Sequence, residues 1–134
     1  MPAITQEHVN AAYTALASGD MEKIDQYWAE DMVWLVPGHN QVSGWKNNRA
    51  EFLAFMQKVG QLSDNSFNMS PVTITTNEEY STDVTHNTGH RAGEPDRVLN
   101  IEVGHTLRWR NGKVIQGKGG IFGDGTAQYD EFWA

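Results

Sequence analysis

Apolar residues recur at helical intervals in the first part of the chain and at intervals of two in the rest. Val9, Ala12, Tyr13, Leu16 and Ala17 make a stripe spaced i, i+3, i+4, i+7, i+8, which predicts an amphipathic helix. Thr5 is placed to cap its start, and Gly19 to end it with a left-handed residue. Asp20 caps a second, shorter helix with Met21, Ile24, Tyr27 and Trp28 on its inner face. Met32–Val36 is a continuous apolar run, read as a short buried strand that Pro37-Gly38 ends. Asn48 and Glu51 form a capping-box pair. They open a third helix with Phe52, Phe55, Met56 and Val59 inside.

Beyond Phe67 the period becomes two. Ser70–Thr76 is a β-branched strand. Tyr80, Thr82, Val84, His86, Thr88 and His90 share one face of the next, and Arg91–Asp96 is a turn. Leu99, Ile101, Val103, His105, Leu107 and Trp109 share one face of a long strand, with Asn100, Glu102, Thr106, Arg108 and Arg110 opposite. Asn111-Gly112 is a strong hairpin signal, and Lys113–Phe122 returns from it. The fold class is therefore α+β: three N-terminal helices, a short first strand, then a C-terminal β-meander, with helices on one face of a curved antiparallel sheet.

Composition narrows the function. One domain spans residues 1–134. No cysteine is present, which removes thiolate nucleophiles, disulfides and sulfur-ligated metals. Seventeen acids against ten Lys and Arg give a net charge of −7, unfavourable for a phosphate backbone, so nucleic acid is not expected as a partner. The longest apolar run, Met32–Val36, is too short for a membrane span or a secretory core, so no membrane association and a cytoplasmic location are expected. The glycines at 117, 119, 120, 123 and 125 do not form a nucleotide fingerprint, because Phe122 stands where the pattern needs glycine.

The order helix, Gly19-Asp20, helix, "WAEDMVWLVPG", "SGW", helix and "LRWRNGKVI", closed by Asp124 and "YDEFWA", resembles the SnoaL-like branch of the nuclear-transport-factor-2-like superfamily. The resemblance runs from about Thr5 to Trp133. It implies an α+β barrel in which a bent sheet forms a cone around helices and leaves an apolar pocket. It also implies a homodimer and cofactor-free chemistry on a small hydrophobic or polycyclic molecule, as in cyclases, ketosteroid isomerase, scytalone dehydratase and a limonene epoxide hydrolase, or plain ligand binding. Aligned with the isomerase, the general-base position holds Val36 and an oxyanion-hole position holds His105. Tyr13 falls one residue from the oxyanion tyrosine. Asp124 is the nearest match to the cyclases' acid/base aspartate.

His105 interrupts an apolar strand face, so it either lines a pocket as an acid/base group or is a satisfied core histidine. With the turn centred on Glu94-Pro95, His86 would lie opposite Val103 and diagonal to His105, which makes it a second acid/base candidate. Tyr13 would hold a developing oxyanion. Asp124 and Asp130 could orient a pocket histidine or cap a turn. Trp34, Val36, Phe55, Val103 and Phe122 are expected to contact substrate, with His39 at the pocket mouth. Trp28 and Trp45 are read as core or pocket wall. No metal is expected: His86 and His90 are four residues apart, ~13 Å on a strand, too far to share an ion.

Overall fold

The computed structural model describes residues 3–134. Helix α1 (Gln6–Ser18) begins at Thr5, whose side chain accepts from the His8 N–H, and ends at Gly19 with φ +68°. Helix α2 (Met21–Tyr27) is capped by Asp20, which accepts from the Glu22 N–H. Only Ile24 of α2 is buried. Met21 is half exposed, and Trp28 has already entered β1 (Trp28–Val36). The first strand is thus longer than its apolar run: it extends back through the exposed Glu30 and Asp31, where its pairing with β6 shifts register, to Trp28. A three-residue strand β2 (Gly44–Lys46) pairs back onto β1. Trp45 on it is 46% exposed and belongs to neither core nor pocket. Helix α3 (Arg49–Leu62) starts at Asn48, which accepts from the Glu51 N–H, while Glu51 accepts from the Asn47 N–H.

Strands β3 (Asn68–Thr76), β4 (Tyr80–Arg91), β5 (Glu94–Arg110) and β6 (Lys113–Ile121) form the meander. The sheet order is β2-β1-β6-β5-β4-β3. Every neighbouring pair is antiparallel except β1–β6, which is parallel. The edge strands β2 and β3 do not meet, so the barrel is open. Asn111 and Gly112 both take positive φ, +52° and +76°, as the two-residue hairpin turn requires. A fourth helix, α4 (Gly125–Phe132), follows β6. It did not stand out in the sequence because it is short and begins at glycine. Tyr129, Phe132 and Trp133 bury against the sheet. Its last carbonyls accept from side chains: Arg91 bonds Phe132 and Ala134, Arg97 bonds Glu131, and Gln41 bonds Trp133. Among the described residues no helix is long and apolar enough to cross a membrane.

The inner face of β5 is the one its alternation predicts: Leu99, Ile101, Val103, His105, Leu107 and Trp109 are all buried. On β4 the inner face is the other one. Ser81, Asp83, Thr85 and Asn87 are buried, so Tyr80, Val84 and His86 face outward. The turn sits at Ala92-Gly93, and a bulge on β5 places His90 against Val98 and Arg91 against Glu94. His86 therefore pairs with Glu102, and Asp83 pairs with His105. A shift of one residue moves every side chain of a strand to the opposite face.

Trp34 on β1 lies against Gly117 on β6, its partner in the parallel pair. A Cβ at Gly117 would enter the Trp34 ring. Gly117→Ala should therefore cost about 1–3 kcal/mol by overpacking. Urea denaturation of the two proteins checks this, and equal midpoints would show that Trp34 shifts freely.

Candidate active site

A cavity of about 520 Å³ lies between α1, α3, α4 and the inner sheet face, within the range of small-molecule pockets, ~300–1,000 Å³. Its wall is mainly apolar and aromatic. Trp34, Phe52, Phe55, Met56, Phe67 and Val103 supply most of it, and no Asp, Glu, Lys or Arg lines it. Helical spacing on α3 brings Phe52, Phe55, Met56 and Val59 to the lining. Strand alternation brings Trp34 and Val36, and Val103 and His105. The exposed Asn68 and Met69 stand at the rim.

The polar feature of the wall is a chain of three side chains from three elements. Asp83 on β4 is 1% exposed. Its Oδ1 accepts from His105 Nδ1 at 2.9 Å, and its Oδ2 accepts from the Tyr13 hydroxyl at 2.8 Å. The β4–β5 register sets His105 beside Asp83, and α1 lays Tyr13 across both. With Nδ1 carrying the proton given to Asp83, the remaining ring nitrogen, Nε2, holds the lone pair. Nε2 bonds no other described residue and is not sealed from the cavity. The ring is flanked by Trp34 at 5.7 Å and Tyr13 at 6.5 Å between centroids. Burial first, then the Asp83 charge and the hydrogen bond to it, push the Tyr13 hydroxyl well above the usual tyrosine range.

Of the residues expected at the site, Tyr13, Trp34, Val36, Phe55, Val103 and His105 line the cavity. Four do not. His86 is on the outer face, where Nε2 meets Asn100 Oδ1. His39 is exposed in the loop after β1, and its backbone N–H donates to Asp130. Asp130 also accepts from Asn40, so it fastens this loop and orients no histidine. Phe122 is 57% exposed, with its ring over the outer side of Gly104. Asp124 is exposed ahead of α4 and makes no side-chain cap bond; its backbone carbonyl receives the first helical N–H groups. Tyr13 is present but its single proton goes to Asp83, so it orients that carboxylate and is not free to donate to an oxyanion.

Asp83 and Asn87 were missed. Their signal was present: Ser81, Asp83, Thr85 and Asn87 are all short and hydrogen-bonding, which suits the inside of a polar-lined pocket. Tyr80 and Val84 on the other face drew the assignment away. Among the described residues no three His, Asp or Glu side chains converge as a metal site would need.

A six-stranded curved sheet cupping helices around an aromatic cavity is the architecture of the nuclear-transport-factor-2-like proteins. A family model for the SnoaL-like domain matches residues 9–117, and the chain belongs to that family. No curated protein matches it in sequence. Its fold is similar to that of Bal32a from a soil-derived mobile gene cassette, with TM-score 0.84 and 24% identity over 96% of this chain and 95% of that one. A nuclear-transport-factor-2-like protein from Burkholderia xenovorans LB400 superposes with TM-score 0.79 and 20% identity, over 96% and 94%. IdmH from Streptomyces antibioticus, a proposed polyketide cyclase, gives 0.73 and 18%, over 92% and 96%.

The raised Tyr13 hydroxyl has a consequence for stability. An acid with a raised folded-state pKa contributes fully below its unfolded value, near 10 for tyrosine, and loses that contribution as pH climbs above it. Above pH ~10 the slope is up to about 1.4 kcal/mol per pH unit for each such group. Tyr129, also raised, mainly by burial, adds its own share. Tyr13→Phe should be less stable at neutral pH by the lost hydrogen bond, and should lose Tm less steeply than the parent between pH 10 and 11.5. Parallel Tm–pH curves would contradict the assignment.

Proposed function

We propose that this protein is a cofactor-independent enzyme that moves a proton on a small hydrophobic or polycyclic molecule held in the cavity, with His105 as the acid/base group. The supporting observation is the hydrogen-bonded chain Tyr13–Asp83–His105, which leaves only Nε2 of His105 open to the cavity. Its logic is that of a carboxylate-oriented histidine. Asp83 fixes the tautomer and the ring plane, and stabilises the imidazolium that forms when Nε2 takes a proton. The apolar wall excludes water and raises the strength of that interaction. The base so formed can take a proton from a carbon beside a carbonyl and return it elsewhere, the step shared by isomerisation, cyclisation and dehydration. Val36 at the isomerase base position argues against steroid isomerisation by that family's route. The proposed role of IdmH as a polyketide cyclase is compatible with this reading.

A generic probe separates enzyme from passive binder. In 5-nitrobenzisoxazole a base takes the proton at C3, the C–H pair forms the nitrile, the N–O bond breaks and a phenolate leaves. The wild-type protein should accelerate this reaction over buffer. His105→Gln should lower kcat by ~10²-fold, the usual contribution of a positioned base. Asp83→Asn should lower kcat with KM unchanged, because the amide supports the wrong tautomer. His86→Gln should leave both constants unchanged. An unchanged rate in His105→Gln would sink the proposal. Binding without acceleration by the wild type would favour a ligand-binding module of the same fold.

A further inference from the structure

The proton chemistry proposed for His105 leaves a second polar group of the cavity unused. Asn87 is 3% exposed and lines the same cavity. Its Oδ1 accepts from the Thr85 hydroxyl at 2.6 Å. Its Nδ2 bonds no described residue and is not sealed from the cavity. A carboxamide left half-satisfied in an apolar pocket costs free energy unless something else takes its N–H groups. Tyr129, from α4, also lines the cavity and is 6% exposed.

We infer that Asn87 is a specificity-determining donor for a neutral oxygen at the far end of the substrate from its reacting proton. Three observations carry this. The N–H groups of Asn87 face the cavity without a protein acceptor. No cation lines the cavity, so the oxygen it takes is a carbonyl, ether or hydroxyl rather than a carboxylate or phosphate. Asp83 marks the His105 position on β4, and Asn87 lies four residues further on, ~13 Å along the strand. That backbone separation sets the Asn87 amide and His105 at different parts of the cavity. It suits an elongated molecule, such as two fused rings, with a hydrogen bond of ~2.9 Å at each end. The substrate class is therefore a neutral, elongated, largely apolar molecule with an acidic proton at one end and an oxygen acceptor at the other. The inference rests on the reading of this cavity as the active site.

Two probes differing in one group test it. 6-Acetyl-2-naphthol carries the acceptor, and 6-ethyl-2-naphthol does not. Their affinities are read by quenching of tryptophan fluorescence, with Trp34 in the cavity wall. The wild type should bind the acetyl compound about fivefold more tightly, the worth of one neutral hydrogen bond. Asn87→Asp keeps the shape and the Thr85 bond but removes the donor, and should abolish or reverse the preference. Asn87→Leu should abolish it as well, and guards against a fault peculiar to a buried acid. His105→Gln should keep the preference whatever it does to turnover, so a failure of the acid/base reading is told apart from a failure of this one. A wild type that binds neither probe or shows no preference, or a preference that survives in both Asn87 variants, overturns the inference.

Discussion

A buried carboxylate must be answered by donors, and Asp83 is answered by two. Taking a carboxylate out of water costs several kcal/mol even after relaxation, so an unpartnered Asp83 would destabilise this fold by about 3–5 kcal/mol. The two donors come from α1 and β5, while the carboxylate itself is on β4. The same pair of bonds that settles the charge also ties the first helix to two central strands. The site is thus part of what holds the cone together. Its polar groups cannot be exchanged one at a time without leaving a partner stranded. Replacing all three by apolar residues would cost less than removing any one of them.

Around that carboxylate the cavity depends on where the chain has no side chain. Gly117 leaves room for the Trp34 ring, and Gly119 for Pro37 and the edge of His105. Gly117 and Gly119 therefore act by permitting close approach of neighbouring side chains, in addition to any bending of the strand. Trp28, Trp34 and Phe52 then meet pairwise in one cluster, with centroids 4.8–6.0 Å apart. Trp34 and Phe52 of this cluster line the cavity.

Much of the fold was legible because local chemistry and tertiary demand agreed. The caps at Thr5, Asp20 and Asn48, the turn at Asn111-Gly112 and the inner face of β5 follow directly from residue type and spacing. His105 was legible as the one polar residue on an apolar face. β4 was not, because both of its faces carry polar residues and alternation cannot choose between them. Its register depends on a bulge around Pro95, Asp96 and Arg97 in the partner strand, which no pattern within β4 records. The site was half visible for that reason. The well-patterned strand points to His105, which lines the cavity, while the ambiguous strand points to the outward His86 instead of the inward Asp83 and Asn87. Helix α4 is held by arginine and glutamine side chains from distant segments, a form of stabilisation invisible to local propensity.

The parallel pairing of β1 with β6 has a kinetic side. Trp34 and its partner Gly117 stand roughly eighty residues apart in sequence, so the pair closes a long loop whose entropy must be met before the contact rewards it. The intervening meander is built of hairpins and can form without it. During synthesis, β1 emerges early and then waits, apolar inner face and one hydrogen-bonding edge uncovered, until β6 has left the ribosome. The Trp34 side of the pocket wall is in this sense completed late, and the nascent chain carries an adhesive strand open while the whole β3–β6 meander is made.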